Sequence, residues 1–181
     1  MTVVFMDRDG VINVNRDDYV KSAEEFELIP GVTHGLARLK RAGVPVIVIS
    51  NQAGVASGVI PEEELHRIND LMFKAVRYSG GDIAAWYYCT HRRDEGCNCR
   101  KPETGLFLKA GSELGMDLSD AFLVGDAETD IEAGHRAGCK TVLVLTGRAR
   151  AEDVDRWAVK PCYIAQNLPD AVDWILSNAR M

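Results

Sequence analysis

The chain reads as a doubly wound α/β protein built on a Rossmann-like parallel sheet. Short apolar runs of strand length alternate with stretches of helical periodicity, and no repeat, low-complexity tract or Pro/Ser-rich linker divides the 181 residues. Alternation of this kind implies right-handed βαβ units and a sheet covered on both faces. A single domain over residues 1–181 is expected, long enough to bury a full core without disulfides.

Thr2 to Met6 is the first run, rich in β-branched and aromatic residues and suited to a strand buried on both faces. Residues 8 to 28 follow with too many polar side chains for a buried element. Val32, Leu36 and Leu39 then recur at helical spacing before Gly43, a C-terminal stop. Pro45 to Ile49 is the second strand. Pro61 has a fixed φ suited to a first helical turn, and Leu65, Ile68, Met72 and Ala75 mark the apolar face that follows. Ile83 to Tyr88 is the third strand, and residues 89 to 104 after it are rich in cysteine and charge. Leu106, Ala110 and Leu114 form a helix ending at Gly115, and Ala121 to Val124 the fourth strand. Ile131 leads a short helix to Gly138, Thr141 to Leu145 is the fifth strand, and a last helix runs from Pro169 to about Ser177. Ligands of open parallel sheets sit outside the carboxyl ends of the strands. The irregular stretches 8–28 and 89–104, each just after a strand, are therefore where function is expected.

Composition removes several classes. Lys and Arg number 21 against 27 Asp and Glu, a net charge of −6, with no run of five like charges. That argues against nucleic-acid and anionic-membrane partners, which clustered basic residues would attract. No apolar stretch approaches the roughly 20 residues of a membrane span, and Met-Thr-Val-Val-Phe-Met leads into charge without a signal-peptide pattern. A cytoplasmic monomer is expected. His34, His66 and His135 read as surface residues, Trp86, Trp157 and Trp174 as packing residues, and Cys139 and Cys162 as small core residues.

Four groups carry chemistry. Asp7-Arg8-Asp9-Gly10 closes the first strand with two carboxylates that can share a divalent metal and divide labour, one attacking and the other moving protons. Ser50-Asn51-Gln52 follows the second strand with a hydroxyl and amide donors for a phosphate oxygen. Lys101, in Arg100-Lys101-Pro102, supplies fixed positive charge, and Asp126 to Asp130 after the fourth strand offers a second carboxylate site. Each alone reads as a turn, a cap or a solvated residue. Their order at the ends of successive strands argues otherwise. Separately, Cys89-x-His91-x5-Cys97-x-Cys99 supplies three thiolates and an imidazole, a complete tetrahedral set for a closed structural Zn²⁺. Cys99 stands two residues before Lys101, so a metal that orders this polar loop also positions the lysine.

These motifs resemble those of the haloacid dehalogenase superfamily of aspartyl phosphohydrolases, across the whole chain. The resemblance implies that Asp7 is the nucleophile that takes the phosphoryl group. It implies that Asp9 protonates the leaving oxygen and then activates water, with Ser50 and Lys101 orienting and neutralising the phosphoryl oxygens. Mg²⁺ would be held by the Asp7 carboxylate, the Asp9 backbone carbonyl and Asp126, with Asp130 behind them holding either Lys101 or a metal-bound water. The zinc loop and the lack of a 60 to 100 residue insertion resemble the capless branch of heptose bisphosphate and histidinol-phosphate phosphatases. Asp18-Tyr19-Val20, Phe26 to Val32, Ser50 to Ala56 and Leu145-Thr146-Gly147 are more similar to the heptose enzymes. The implied ligand is a small phosphorylated sugar, contacted by Asn15, Tyr19, Asn51, Gln52 and Arg100. After Asp126 the pattern has a basic residue where this chain has Ala127, so charge for a distal phosphate falls to Arg100, with Arg148 and Arg16 as further donors. The competing readings are histidinol phosphate as substrate and a zinc-stabilised binding module without turnover.

Overall fold

In the computed structural model, which describes residues 2–179, six parallel strands form one sheet in the order β3-β2-β1-β4-β5-β6. They are β1 (Val3–Met6), β2 (Val46–Asn51), β3 (Ala85–Cys89), β4 (Ala121–Gly125), β5 (Lys140–Val144) and β6 (Tyr163–Ala165). The helices are α1 (Val32–Arg41), α2 (Glu62–Tyr78), α3 (Gly105–Leu114), α4 (Glu128–Ala137) and α5 (Leu168–Asn178). Strand alternation decides which helix covers which face. Val4, Met6, Val46, Val48, Phe122 and Val124 pack with α1, α2 and α5 on one side. Val3, Phe5, Ile47, Ile49 and Leu123 pack with Leu106, Phe107 and Ala110 of α3 and Ala133 of α4 on the other.

The helix ends follow from local chemistry. Pro61 lies just outside α2, as its cap, rather than within the first turn, and Glu62, Glu63 and Glu64 fill that turn, where carboxylates meet the positive end of the helix dipole. Gly115 and Gly138 end α3 and α4 in the left-handed conformation.

The strand β6 went unread because it has only three residues. The strand β3 is not buried on both faces: it is an edge strand, and Trp86 stays 39% exposed while meeting the Phe73 ring edge-on at 5.9 Å. Cys162 is exposed rather than a core residue, whereas Cys139 is buried. Residues 8–28 are polar at their tip yet bury Val11, Ile12, Asn13 and Val20, and are pinned by backbone bridges from Asn13 to Asp9 and to Leu28.

The chain runs outward from β1 through β2 to β3, then returns to place β4 against the other side of β1. That reversal leaves a crevice between the carboxyl ends of β1 and β4, the place where an open α/β sheet binds ligands.

Candidate active site

Asp7 leaves the end of β1 and Asp126 the end of β4, and both line a cavity of about 790 Å³ over the crevice. The other charged side chain that ties the two halves together is Lys101. Its Nζ lies 3.1 Å from Asp7 Oδ1 and 2.6 Å from Asp130 Oδ1, and donates to the Ile49 carbonyl at 2.9 Å. The three ammonium hydrogens are thus spent on two carboxylates and one carbonyl. Burial alone would lower the Lys101 amine, but Asp130 and Asp7 outweigh it and hold it above its ordinary value, so it stays a cation. Asp130 also accepts from the backbone N–H groups of Asp126 and Ala127, both at 3.1 Å, which fixes the loop that carries Asp126.

The two carboxylates of the first motif sit in opposite electrostatic environments. Burial pushes the Asp7 carboxyl up, opposed by Lys101 and reinforced by the neighbouring Asp130 and Asp9, while Ser50 hydrogen-bonds to it. Burial acts on Asp9 as well, but the Arg8 guanidinium and donors from Asn13 and Gln52 outweigh it and hold Asp9 below the usual carboxylate range. Arg8 Nη2 reaches Asp9 Oδ1 at 2.9 Å and Oδ2 at 3.0 Å, Asn13 Nδ2 donates to Oδ1 at 2.9 Å, and Gln52 Nε2 donates to Oδ2 at 2.7 Å. Arg8, read from sequence only as the residue between two aspartates, is fully buried. No pattern in the sequence signals that.

Asp126 is pressed between two chain segments. A Cβ on Gly10, whose φ is +82°, or on Gly147 would overlap its carboxylate, and the Arg148 N–H donates to Asp126 Oδ2 at 2.8 Å. Desolvation, then Asp130 and Asp7, push the Asp126 carboxyl up to about 8. Oxygens of Asp7, Asp126 and Asp130 lie within 4.8 Å of one another. A cluster with this excess of negative charge fits a hard divalent cation such as Mg²⁺, which takes one or two protein carboxylates.

The cysteine loop is assembled in the same way. Cys99 Sγ lies 3.1 Å from Cys89 Sγ, 3.6 Å from Cys97 Sγ and 3.2 Å from His91 Nδ1. Cys89 Sγ lies 3.5 Å from Cys97 Sγ and 3.6 Å from His91 Nδ1. A tetrahedral zinc with ordinary bond lengths needs ligand separations of about 3.6–3.8 Å, so the four atoms would hold Zn²⁺ after spreading apart slightly, most of all Cys99 from Cys89.

The structure separates the residues expected to contact a ligand. Asn15, Tyr19, Asn51 and Arg100 line the cavity. Arg100 Nη1 is buried and has no hydrogen-bond partner among the described residues. Tyr19 holds a left-handed backbone, φ +69°, which is uncommon and costs energy for a non-glycine residue. Gln52 is buried away from the cavity, its amide turned to Asp9 and Ser50. Arg148, beside Ala127, and Arg16 also line the cavity, Arg16 with its Nε 3.6 and 3.7 Å from Asp18 and Glu25. Arg92 and Arg93 line the rim without having been singled out in the sequence, because nothing distinguishes them there from solvated loop charge.

A family model described as HAD-hydrolase-like matches residues 98–171. The D-glycero-β-D-manno-heptose-1,7-bisphosphate 7-phosphatase of Pseudomonas aeruginosa is 40% identical over 147 residues, 81% of this chain and 83% of its own. The chain belongs to this phosphatase family. The family member from Photorhabdus laumondii is 33% identical over 95% of both chains. The crystal structure of the Bordetella bronchiseptica D,D-heptose 1,7-bisphosphate phosphatase complexed with magnesium and phosphate superposes with a TM-score of 0.93 at 33% identity, over 99% of this chain and all of that one. The capless haloacid dehalogenase fold is thus the fold of this family member. Among the described residues no helix is long and apolar enough to cross a membrane.

Proposed function

We propose that this chain is a cytoplasmic, monomeric, Mg²⁺-dependent phosphatase that removes the C7 phosphate of D-glycero-D-manno-heptose 1,7-bisphosphate. Family membership supports the substrate. The observation that carries the chemistry is the position of Lys101, a buried cation between Asp7 and Asp130 at the crevice of the sheet.

Asp7 attacks phosphorus and forms an aspartyl phosphate as the bond to the sugar oxygen breaks. Asp9 gives that oxygen its proton, then takes one from the water that hydrolyses the acyl phosphate. The Ser50 hydroxyl orients the phosphoryl oxygens and the buried Lys101 cation lies beside them, so that negative charge meets fixed positive charge as it develops. Mg²⁺, held by Asp7, the Asp9 carbonyl and Asp126, supplies further charge neutralisation on those oxygens. Cys89, His91, Cys97 and Cys99 would hold Zn²⁺, which would supply structural order to the loop leading into Arg100 and Lys101. Arg100, with its free buried Nη1, and Arg148 take the distal phosphate in place of the basic residue absent at Ala127. Asn15 and Tyr19 wall the sugar, while Asn51 and Gln52 act through the groups they hold.

The test is a steady-state assay with Mg²⁺ on heptose 1,7-bisphosphate, histidinol phosphate and fructose 1,6-bisphosphate, beside Asp7→Asn. Preference for the heptose ester, abolished by the substitution, is expected. A preference for histidinol phosphate would overturn the substrate, and no hydrolysis of any ester would overturn the reaction.

A further inference from the structure

Arg8 has the largest side chain among the fully buried residues. Its Nη2 bridges both oxygens of Asp9, while Nε and Nη1 are buried without a close hydrogen-bond partner among the described residues, the Tyr88 hydroxyl being the neighbouring polar group. Such a pair is a poor device for stability. Enclosing a guanidinium costs more than the ion pair returns unless its remaining donors are satisfied, and apolar residues of similar volume often serve the fold better. The pair is more readily explained by what it does to Asp9.

An ionised carboxylate has about four lone-pair sites. Here Arg8 takes one on each oxygen, Asn13 one on Oδ1 and Gln52 one on Oδ2, so the Asp9 carboxylate is held in plane and in rotation. Its side chain nevertheless stays 21% exposed and lines the cavity. We propose that Arg8 is a positioning residue that aims the Asp9 carboxyl at the leaving-group oxygen. A substrate oxygen displaces one neutral amide, from Asn13 or Gln52, while the Arg8 bridge keeps the plane of the carboxyl fixed. As the Asp7 oxygen bonds to phosphorus, the electron pair of the breaking P–O bond passes to the leaving oxygen. Asp9, an ionised carboxylate in the resting site, first takes a proton from solvent at its exposed edge as the amide is displaced; the leaving oxygen takes that proton, and the carboxylate left behind faces the Arg8 cation.

The proposal rests on Asp9 as the proton donor, and the experiment separates the two. Arg8→Met, Arg8→Lys and Asp9→Asn are compared on two esters: the sugar bisphosphate, whose alkoxide needs a proton to leave, and p-nitrophenyl phosphate, whose phenolate does not. Thermal melts confirm folding, and rapid mixing follows the first release of nitrophenolate. General acid catalysis contributes about 10²–10⁴-fold, so Arg8→Met is expected to lose about 100-fold in kcat on the sugar ester with KM nearly unchanged. Its nitrophenolate burst should persist, followed by slow turnover. Arg8→Lys keeps the charge but is too short to bridge both oxygens, so it should show the same selectivity to a smaller degree, and it carries the comparison if Arg8→Met fails to fold. Loss of the nitrophenolate burst in proportion to the loss on the sugar ester, or no loss on the sugar ester, in a folded Arg8 variant overturns the proposal. If Asp9→Asn itself lost the nitrophenolate burst as fully as it lost the sugar ester, the proton-donor reading would fail. A selective Asp9→Asn beside an unselective Arg8 variant would remove the role of Arg8 alone.

Discussion

Asn51 grips Lys101 with both ends of its amide: Nδ2 donates to the Lys101 carbonyl at 3.1 Å, and Oδ1 accepts from the Lys101 N–H at 3.0 Å. The end of β2 thereby fixes the main chain from which the buried amine reaches Asp7 and Asp130. Asn51→Ala removes two hydrogen bonds of about 0.5–1.5 kcal/mol each and should cost about 1–3 kcal/mol of stability. Its kcat should fall more than its KM rises, because the amine loses its aim while the cavity wall survives. Denaturant melts and steady-state kinetics check both. A change in KM alone would mean that Asn51 contacts substrate directly.

The four-ligand loop lies immediately before that grip. Chelation, or Cys97→Ser, should remove one zinc per chain by elemental analysis and release the segment that carries Arg100 and Lys101. Displacing a reacting group by about 1 Å can cost on the order of 100-fold in rate, and a loss of that size is expected with added Mg²⁺ present. Full turnover by zinc-free protein would show that the protein alone holds the lysine in place.

Asp126 makes stability depend on pH in a definite direction when no metal is bound. Its folded value of about 8 lies above the unfolded value of about 3.9. Between the two the folded chain keeps a proton that the unfolded chain has released, so this group makes stability fall as pH rises, by at most about 1.4 kcal/mol per unit. Asp9, held below the usual carboxylate range, acts the other way and only at more acidic pH. Metal-free protein should therefore melt lower at about pH 8 than at about pH 5.5, and Mg²⁺ should raise the melting temperature most at the higher pH. Calorimetric scans with and without Mg²⁺ decide it. A melting temperature that rises with pH in metal-free protein would contradict the assignment.

Gly147→Ala tests the packing around the same carboxylate. The added methyl overlaps Asp126, and over-packing of this kind costs about 1–3 kcal/mol. The larger effect should be on the Mg²⁺ concentration needed for half-maximal activity, which should rise while zinc content is unchanged. A Mg²⁺ titration identical to that of the parent protein would show that the carboxylate has room to move.

The legible part of this protein is the part that depends on pattern. Apolar runs placed β1, β2, β4 and β5, glycines placed the ends of α3 and α4, and the order of acidic and basic residues at strand ends located the crevice. What escaped depends on three-dimensional enclosure. Tyr163-Ile164-Ala165 is too short to read as a strand, and becomes one because β5 lies beside it. Arg8 between two aspartates looks solvated in one dimension but is enclosed in three. Gln52 stands beside Asn51 in sequence, yet its neighbour Asn51 lines the cavity while its own amide turns to the Asp9 carboxylate, a difference that no local rule supplies.

Lys101 bonds the Ile49 carbonyl from 52 positions away and reaches across to Asp130 in the opposite half of the sheet. No contiguous fragment of the chain contains a working centre. A nascent or truncated polypeptide ending before α4 would carry Asp7 and Lys101 but lack Asp130, the carboxylate 2.6 Å from the lysine amine. Hydrolysis of the substrate thus reports completion of the long-range sheet, since contacts of such separation form only after the intervening loops close.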